Sequence, residues 1–333
     1  MEKQIDFLAI GDIVTDAFIL LKEAKVTCDK HGENCMLSVR FGDKIPYEQV
    51  DVIRAVGNSP NASVAAARLG VSSALAANVG SDQNGRECIE SLTKDNVITD
   101  FVRVHEGQLT NYHYVLRYGA ERTILVKHYD YPYAFPDVQP PPQWIYLSSL
   151  AESSLPYHME IADYIERNPS VKLAFQPGTF QMSLGEEKLD RLYKRTDVFF
   201  CNKEEAQRIL STTKTDIKKL LAMMHALGPK IVVITDGPKG AYAFEGQSGK
   251  TWHMPMYPDP KPPVDRTGAG DSFSSTFVSA LILDKTVPEA LAWAPINSMS
   301  VVQEIGAQRG LLPRAKLEEY LANAPADYVA KEI

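Results

Sequence analysis

The segment "DVFFCNKEEAQRIL" (residues 197–210) joins a short apolar run to a helical pattern, and this order of elements decides the fold class. Three further apolar runs have the same character: "WIYLSS" (144–149), "VKLAFQP" (171–177) and "KIVVITDG" (230–237). The predicted helices of this half of the chain cover about 157–167, 186–194, 203–210 and 215–227. Strands that alternate with helices form a parallel sheet with right-handed crossovers. The sequence therefore predicts an α/β fold that binds ligands at the carboxyl ends of its strands.

The N-terminal half contains two β excursions that interrupt this pattern. Residues 17–55 form alternating and β-branched segments separated by polar turns, and residues 111–129 alternate around a Gly-Ala turn as a hairpin. We therefore expect one large domain over residues 1–333, with a small β-sheet lid assembled from about 17–56 and 107–130.

Composition excludes several classes of partner. The chain has 333 residues and a net charge of −7, so it lacks the basic face that nucleic acids and anionic membranes require. Asp6, Asp12 and Asp16 interrupt the apolar stretches near the N-terminus, which predicts no signal peptide and a cytoplasmic protein. Four cysteines in so long a chain do not indicate a secreted disulfide framework.

A second segment, "PVDRTGAGDSFSSTFVSAL" (263–281), carries the strongest indication of chemistry. Apolar residues at helical spacing follow Asp271, so a helix begins at this point. The start of a helix exposes unpaired N–H groups, and Gly268, Ala269 and Gly270 leave them open to an anion. If that anion is a transferring phosphoryl group, Asp271 is placed to accept the proton of the attacking hydroxyl. The alternative is a glycine turn whose aspartate stabilises the helix dipole.

Two other phosphate-binding motifs fail when their spacing is counted. "GKT" (249–251) would end a P-loop only if position 244 were glycine, and it is Phe244. A dinucleotide motif G-x-G-x-x-G that starts at Gly268 would have to end in glycine at position 273, which is Phe273.

The Gly-Ala-Gly-Asp segment is part of a larger resemblance. "DRTGAGDSF" (265–273) resembles the C-terminal signature of the PfkB/ribokinase family of carbohydrate and nucleoside kinases, and residues 59–87 resemble its N-terminal signature. Further stretches similar to the family, in family order, are "DVFFCNKEEAQRIL" (197–210), "VVITDGPKGAYAF" (232–244) and "EIGAQRGL" (304–311). The resemblance spans about residues 6–312 and implies a ribokinase-like fold, a doubly wound, mostly parallel three-layer α/β sheet with a β lid.

The resemblance implies roles on the nucleotide side. Asp271 would be the catalytic base, and the preceding backbone at 268–270 the anion hole. The residues implied to border ATP and its ions are Asn202, Glu205, Thr235, Asp236, Gly237, Gly240, Asp265 and Thr267. Asn202 and Glu205 would organise Mg²⁺ through water, although Asn followed by Glu three residues later is also a capping box. Asp265 and Thr267 stand where many members bind a monovalent cation, so K⁺ is a candidate ion.

On the substrate side the implied contacts are Asp12, Asp16, Gly57, Asn58 and Asn61. A short carboxylate such as Asp16 can accept hydrogen bonds from two sugar hydroxyls, the alternative being a solvated strand end. The alternative for Asn61 is the N-cap of a helix at 61–69. The sequence departs from the family at Val14, where ribokinases have asparagine, and at Val56-Gly57, where the family has paired glycines.

Two further features leave alternatives open. Cys28, His31 and Cys35 supply three potential zinc ligands without an evident fourth, or the two cysteines face each other as free thiols. Aromatic residues crowd positions 128–146, where they stack on a ligand or plug the junction between lid and domain. The long first excursion either reaches over the pocket with its polar tip or pairs with a second subunit, since lid strands expose edges; the second alternative is a homodimer through the lid.

Together these patterns predict an ATP-dependent kinase that uses Mg²⁺ and transfers the γ-phosphoryl group to a hydroxymethyl group of a sugar or sugar derivative. One alternative keeps this chemistry and makes the acceptor a nucleoside. The other is a ligand-binding protein without catalysis on the same fold, which the presence of Asp271 disfavours.

Overall fold

The structure is a computed structural model that describes residues 4–29, 35–119 and 121–333. In chain order its strands are β1 (Phe7–Ile10), β2 (Val14–Leu21), β3 (Lys25–Thr27), β4 (Met36–Ser38), β5 (Tyr47–Val56), β6 (Ser73–Gly80), β7 (Val102–His105), β8 (Tyr112–Tyr118), β9 (Glu121–Leu125), β10 (Trp144–Leu147), β11 (Lys172–Phe175), β12 (Val198–Asn202), β13 (Ile231–Thr235), β14 (Ala241–Glu245), β15 (Lys250–Met254) and β16 (Lys331–Glu332). The helices are α1 (Asn58–Arg68), α2 (Gln83–Lys94), α3 (Leu155–Arg167), α4 (Thr179–Leu184), α5 (Asp190–Arg195), α6 (Lys203–Ile209), α7 (Ile217–Ala226), α8 (Ala269–Ile282), α9 (Val287–Val301) and α10 (Arg314–Ala322).

Most strands join one central sheet in the order β16-β15-β14-β13-β12-β11-β10-β1-β6-β7. Neighbours from β7 to β13 pair in parallel, and β14 to β16 add an antiparallel edge. β1 lies at the switch point, because the chain first extends the sheet on one side of β1 through β6 and later returns to pair β10 with its other side. Parallel sheets open a crevice at such a point, at the carboxyl ends of the strands.

The central sheet is covered on both faces. Along β1, Phe7 and Ala9 belong to one buried cluster and Leu8 and Ile10 to another, as the two-residue period of a strand requires. The first cluster includes side chains of α1, α8 and α9, and the second includes side chains of α3, α5 and α7. The predicted doubly wound α/β class is confirmed.

A separate small sheet has the strand order β5-β2-β8-β9, and β3 pairs with β4 as a short hairpin. Its strands come from both predicted β excursions, although β2 begins earlier, at Val14. Phe18, Ile53 and Val115 are buried on its inner face, where Ile305 packs against them. The small sheet therefore rests on the loop that follows α9.

Two helix predictions were wrong in their bounds. The helix expected at 186–194 is α5, which begins only at Asp190, and the separate short helix α4 before it was not predicted; α4 ends at Gly185, whose φ of 85° breaks the helical backbone. The helix expected at 61–69 is α1, which begins at Asn58 after Gly57 as N-cap. Pro60 is tolerated in its first turn, since those N–H groups have no intrahelical partner.

Both hypotheses for the cysteine cluster need correction. Cys28 and Cys35 form a disulfide, so they are neither free thiols nor available as zinc ligands. His31 lies outside the described residues. No group of three or more His, Cys, Asp or Glu residues in the described ranges is arranged to hold a metal ion. A helix long and apolar enough to span a membrane is likewise not found among them.

The packing beneath α8 yields a stability prediction. Phe277 is fully buried and its ring meets that of Phe200 edge-on, with centroids 5.5 Å apart. We expect Phe277→Ala to lower the free energy of unfolding by about 3–5 kcal/mol, because it removes buried apolar area and leaves a cavity. Urea denaturation followed by circular dichroism measures this change. Phe180→Ala is the control, since Phe180 is 37% exposed; equal losses in the two variants would contradict the prediction.

Candidate active site

The Gly-Ala-Gly-Asp segment forms the start of α8. Gly268 is the N-cap, with φ 80°, and a side chain there would collide with Ala307. The helix begins at Ala269, so the N–H groups of its first turn point to the carboxyl edge of the sheet without intrahelical partners. This is the predicted helix start.

Asp271 is buried at this helix start, with 7% of its surface exposed. Asn58 Nδ2 donates to its Oδ1 at 2.7 Å and Asn61 Nδ2 to its Oδ2 at 2.9 Å. Gln176 Nε2 adds a longer bond to Oδ1 at 3.3 Å. Burial raises the pKa of Asp271, and the three hydrogen bonds oppose that rise because they stabilise the carboxylate.

The amide donors arrive from two separate segments. Asn58 and Asn61 lie in the first turn of α1, and Asn61 is therefore not the N-cap that the sequence had offered as an alternative. The N-cap Gly57 has φ 125°, and a Cβ there would lie 2.6 Å from the carbonyl oxygen of Asp12. The backbone accommodates valine at position 56, where the family has glycine, because Val56 is the last residue of β5 and the positive φ falls on Gly57.

Asp12 follows β1 and is mostly buried. Tyr133 donates its hydroxyl hydrogen to Asp12 Oδ1 at 2.7 Å, and His128 Nδ1 lies 3.9 Å from Oδ2. Burial raises the pKa of Asp12 to about 6, although the bond from Tyr133 works in the opposite direction. This carboxyl group therefore changes charge close to neutral pH.

Asp16, on β2, lies beside an imidazole pair. His113 Nδ1 is 3.4 Å from Asp16 Oδ1, and the rings of His113 and His128 are 5.1 Å apart. Burial, together with His113, lowers the pKa of His128. Asp16 Oδ1, His113 Nε2 and His128 Nδ1 are buried without a hydrogen-bond partner among the described residues. Buried polar atoms are normally paired, so the corner formed by Asp16, His113 and His128 can still make hydrogen bonds to a polar ligand.

An apolar cavity of about 260 Å³ lies beside the start of α8. Among the predicted nucleotide-side residues, Thr235, Gly237, Gly240, Ala269 and Gly270 line it. Lining residues that the sequence did not single out include Met256, Tyr257, Pro263, Arg266, Phe273, Pro295, Met299 and Val302. Apart from Arg266, their main sequence signal is apolar character, which does not distinguish a cavity wall from a core.

The other predicted nucleotide-side residues lie outside the lining of this cavity. Asn202 and Glu205 form the capping box of α6: Glu205 N–H donates to Asn202 Oδ1 and Asn202 N–H to Glu205 Oε2, both at 2.8 Å. Burial raises the pKa of Glu205, and the charge of Asp271 contributes to the rise. Asp236 pairs with Lys203 at 3.3 Å.

Asp265 connects three parts of the chain. Its Oδ1 accepts hydrogen bonds from Thr267 N and Oγ1 at 3.0 and 2.7 Å, and its Oδ2 accepts one from Gly306 N at 3.0 Å. Arg122, on β9 of the small sheet, places a guanidinium nitrogen 4.0 Å from Oδ1. The predicted potassium position thus already has a cationic side chain at its border.

Several residues at the site were missed at the level of sequence. Gln176, His113, His128, Tyr133 and Arg122 carry no motif of their own, and each becomes visible only through its neighbour in space. The sequence offered one indication, the crowding of aromatic residues at 128–146, which predicted an aromatic cluster at the junction between lid and domain. Tyr133 stacks on Tyr157 and Phe135 packs against Tyr164, so these rings contact α3.

Comparison with known proteins agrees with this geometry. The model of a family described as pfkB family carbohydrate kinase matches residues 33–314. The ribokinase of Bacillus subtilis is 26% identical over 291 residues, which cover 80% of this chain and 87% of that protein. A nucleoside kinase of Methanothermobacter thermautotrophicus is 24% identical over 258 residues, which cover 77% and 80% of the two chains.

Among solved structures, Arabidopsis thaliana ribokinase complexed with ribose and ATP superimposes with a TM-score of 0.79 at 20% identity, over 96% of this chain and 99% of that one. At this identity the likeness shows the fold. The family match covers most of the chain, and we conclude that this protein belongs to the pfkB family of carbohydrate kinases, which are ATP-dependent phosphotransferases.

Proposed function

We propose that the protein transfers the γ-phosphoryl group of ATP to a hydroxymethyl group of a sugar or sugar derivative. Asp271 takes the hydroxyl proton while the oxygen forms its bond to the γ-phosphorus. The bond from the γ-phosphorus to the bridging oxygen breaks, and ADP leaves. The N–H groups at 268–270 donate to the phosphoryl oxygens as negative charge develops there.

The position of Asp271 between two different environments is the observation that supports this proposal. Gly270, its neighbour in the chain, lines the apolar cavity, whereas its carboxylate faces the amides of Asn58 and Asn61. A general base for phosphoryl transfer has to lie between a nucleotide and an alcohol. We assign ATP to the cavity side, and the acceptor to the side of Asp12, Asp16 and α1.

Metal ions enter the proposal through oxygen donors. The capping box uses Oε2 of Glu205, and its other oxygen is suited to hold water of a Mg²⁺ shell, as is the region around Asn202. A Mg²⁺ ion held there would neutralise part of the charge on the nucleotide phosphates. K⁺ at Asp265 and Thr267 remains a prediction, and the nearby Arg122 guanidinium is the competing cation.

The acceptor corner favours a sugar over a nucleoside. Asp12 and Asp16 offer carboxylate oxygens, and the unpartnered imidazole nitrogens of His113 and His128 add further hydrogen-bonding capacity for hydroxyl groups. The neighbouring aromatic faces of Tyr133 and Phe135 are already stacked on Tyr157 and Tyr164, which leaves them less available to a base. Nucleoside remains the second candidate, because one relative is a nucleoside kinase.

A substrate panel tests the function. The purified chain with ATP and Mg²⁺ is offered D-ribose, D-fructose, adenosine and cytidine, with and without potassium, and ADP release is measured. Sugar-dependent release supports the proposal, and release only with adenosine or cytidine supports the second candidate. ATP binding without turnover of any acceptor would instead point to the non-catalytic alternative.

The role of Asp271 as general base gives a prediction about turnover. Asp271→Asn removes the proton acceptor but keeps the shape of the side chain. We expect kcat to fall by about 10²–10⁴-fold, because general-base catalysis supplies a factor of that size. Steady-state kinetics with the best acceptor of the panel measure the change, and calorimetric titration checks that the acceptor still binds. Unchanged turnover would remove Asp271 from this role.

Asp12 gives a prediction about how acceptor binding depends on pH. The pKa of Asp12 is about 6, so the group is ionised and accepts hydroxyl hydrogen bonds above this pH but becomes protonated below it. With ATP saturating, we expect the acceptor KM to rise about tenfold between pH 7 and pH 5. Tyr133→Phe removes a hydrogen bond that stabilises the carboxylate, so it should move the rise to higher pH. A KM that stays flat over this range would rule out an ionised Asp12 as a ligand.

We also propose that the small sheet acts as a lid over the acceptor and pairs with a second copy of the chain. Its outer face exposes a group of apolar side chains that includes Val50, Val52, Tyr114 and Leu125. Tyr114 and Leu125 are cross-strand partners, and both valines lie on β5. Such a contiguous apolar face indicates an interaction surface, and one face meeting itself gives a twofold dimer.

This proposal is tested with two matched substitutions. Val50→Glu places a charge on the outer face and is expected to convert a dimer into a monomer in sedimentation equilibrium. Val329→Glu changes an equally exposed valine outside the small sheet and should leave the dimer intact. A monomeric wild-type chain, or equal effects of the two variants, would contradict association through this face.

A further inference from the structure

The groups that hold Asp271 are neutral amides, and each is bifunctional. A primary amide has a hydrogen-bond donor end and an acceptor end of almost the same shape, and only the donor end can face a carboxylate favourably. The orientation of an amide is therefore set by whatever its oxygen accepts. In this site two of the three amides, Asn61 and Gln176, have their side-chain oxygens engaged by other side chains.

Gln308 determines the orientation of Asn61. Its Nε2 donates to Asn61 Oδ1 at 3.0 Å and to the carbonyl oxygen of Ala55 at 2.7 Å, so both of its amide hydrogens are used. Arg68 donates to the Gln308 carbonyl oxygen at 2.7 Å and holds that segment against α1. Asn61 and Gln308 are both buried. Asn61 Nδ2 is consequently directed to Asp271.

Tyr146 and Ser274 determine the orientation of Gln176. The Tyr146 hydroxyl, which is fully buried, donates to Gln176 Oε1, and Ser274 Oγ lies 2.7 Å from the same oxygen. Hydroxyl groups can donate to Oε1, whereas the Nε2 end could not serve as an acceptor for them. Gln176 Nε2 is therefore turned to Asp271 Oδ1.

We propose that Gln176 and Gln308 are positioning residues that keep the buried carboxyl group of Asp271 ionised and correctly oriented. The proposal rests on the proposed role of Asp271 as general base. Gln176 acts on Asp271 by direct donation, and Gln308 acts through Asn61. Neutral donors suit a base, because they stabilise the carboxylate without the strong loss of basicity that a neighbouring cation causes.

The charged and titratable surroundings agree with this assignment. The charge of Asp271 contributes to raising the pKa values of Tyr146 on β10 and Glu205 on α6. Neither carries a positive charge. On α1 and at the end of β11, the groups that contact the carboxylate are the amides of Asn58, Asn61 and Gln176. The balance between burial and ionisation thus depends on amide donors.

Three matched Gln→Glu substitutions test the proposal. In Gln176→Glu a carboxylate oxygen replaces the donor nitrogen beside Asp271. In Gln308→Glu the new carboxylate accepts from Asn61 Nδ2, so the Asn61 amide turns its oxygen to Asp271. Gln181→Glu is the control, since Gln181 is buried like Gln308 but hydrogen-bonds to Ser148 and His158.

The direct readout is the titration of the Asp271 carboxyl carbon by NMR, in protein labelled with ¹³C at aspartate carboxyl groups and assigned by comparison with Asp271→Asn. We expect the titration midpoint to rise by about 1 unit or more in Gln176→Glu, by less in Gln308→Glu, and not in Gln181→Glu. With the best panel acceptor and ATP both saturating, the acid limb of kcat should move in the same order.

Folding is checked by thermal denaturation. If Gln176→Glu does not fold, Gln176→Met removes the donor without adding charge and is also expected to raise the midpoint. Folded variants at both positions that titrate like the wild type would overturn the proposal. The NMR titration needs no acceptor, so the two proposals can fail separately. A shifted midpoint in a protein that turns over no panel compound would contradict the proposed kinase function but support the positioning roles.

Discussion

The structure depends on the hydrogen bonds that replace water around one buried carboxylate. Asp271 lies at the N-terminus of α8, where an ionised group without partners would cost several kcal/mol. Its partners Asn58, Asn61 and Gln176 lie 213, 210 and 95 residues away in the chain. The carboxylate is satisfied only when α1, the end of β11 and α8 are all in place, so the chemistry of the site and the completion of the fold are linked.

The sheet topology explains why these segments meet. β1 is at the switch point, and the chain leaves the carboxyl edge of the central sheet on both sides of it. One side leads into the small sheet and α1, which carry polar side chains such as Asp16 and Asn61. The other leads to β13, β14 and α8, which enclose the apolar cavity. Asp271 is at their boundary because α1 packs against α8, and both start at the same edge.

Three carboxylates at this edge are placed in different environments. Asp271 is held by neutral amides, Asp12 by the hydroxyl of Tyr133, and Asp16 lies beside His113. Burial raises the pKa of both Asp271 and Asp12. The three aspartates thus have different partners and different surroundings within one fold.

The sequence by itself determined those features that depend on contacts between residues close together in the chain. Strand and helix periods predicted the α/β class, glycine and aspartate spacing predicted the start of α8, and the Asn202–Glu205 spacing predicted a capping box, because each depends on contacts within a few residues. The bounds of α1 and α5 and the short helix α4 were missed, since turns and first helical turns tolerate several registers. Only the tertiary structure decided which side chains surround Asp271, how Cys28 is bonded, and which face of the small sheet is open. Apart from the Cys28–Cys35 disulfide, which joins residues seven positions apart, these are contacts between segments far apart in sequence, and such contacts are set by packing, which no local pattern records.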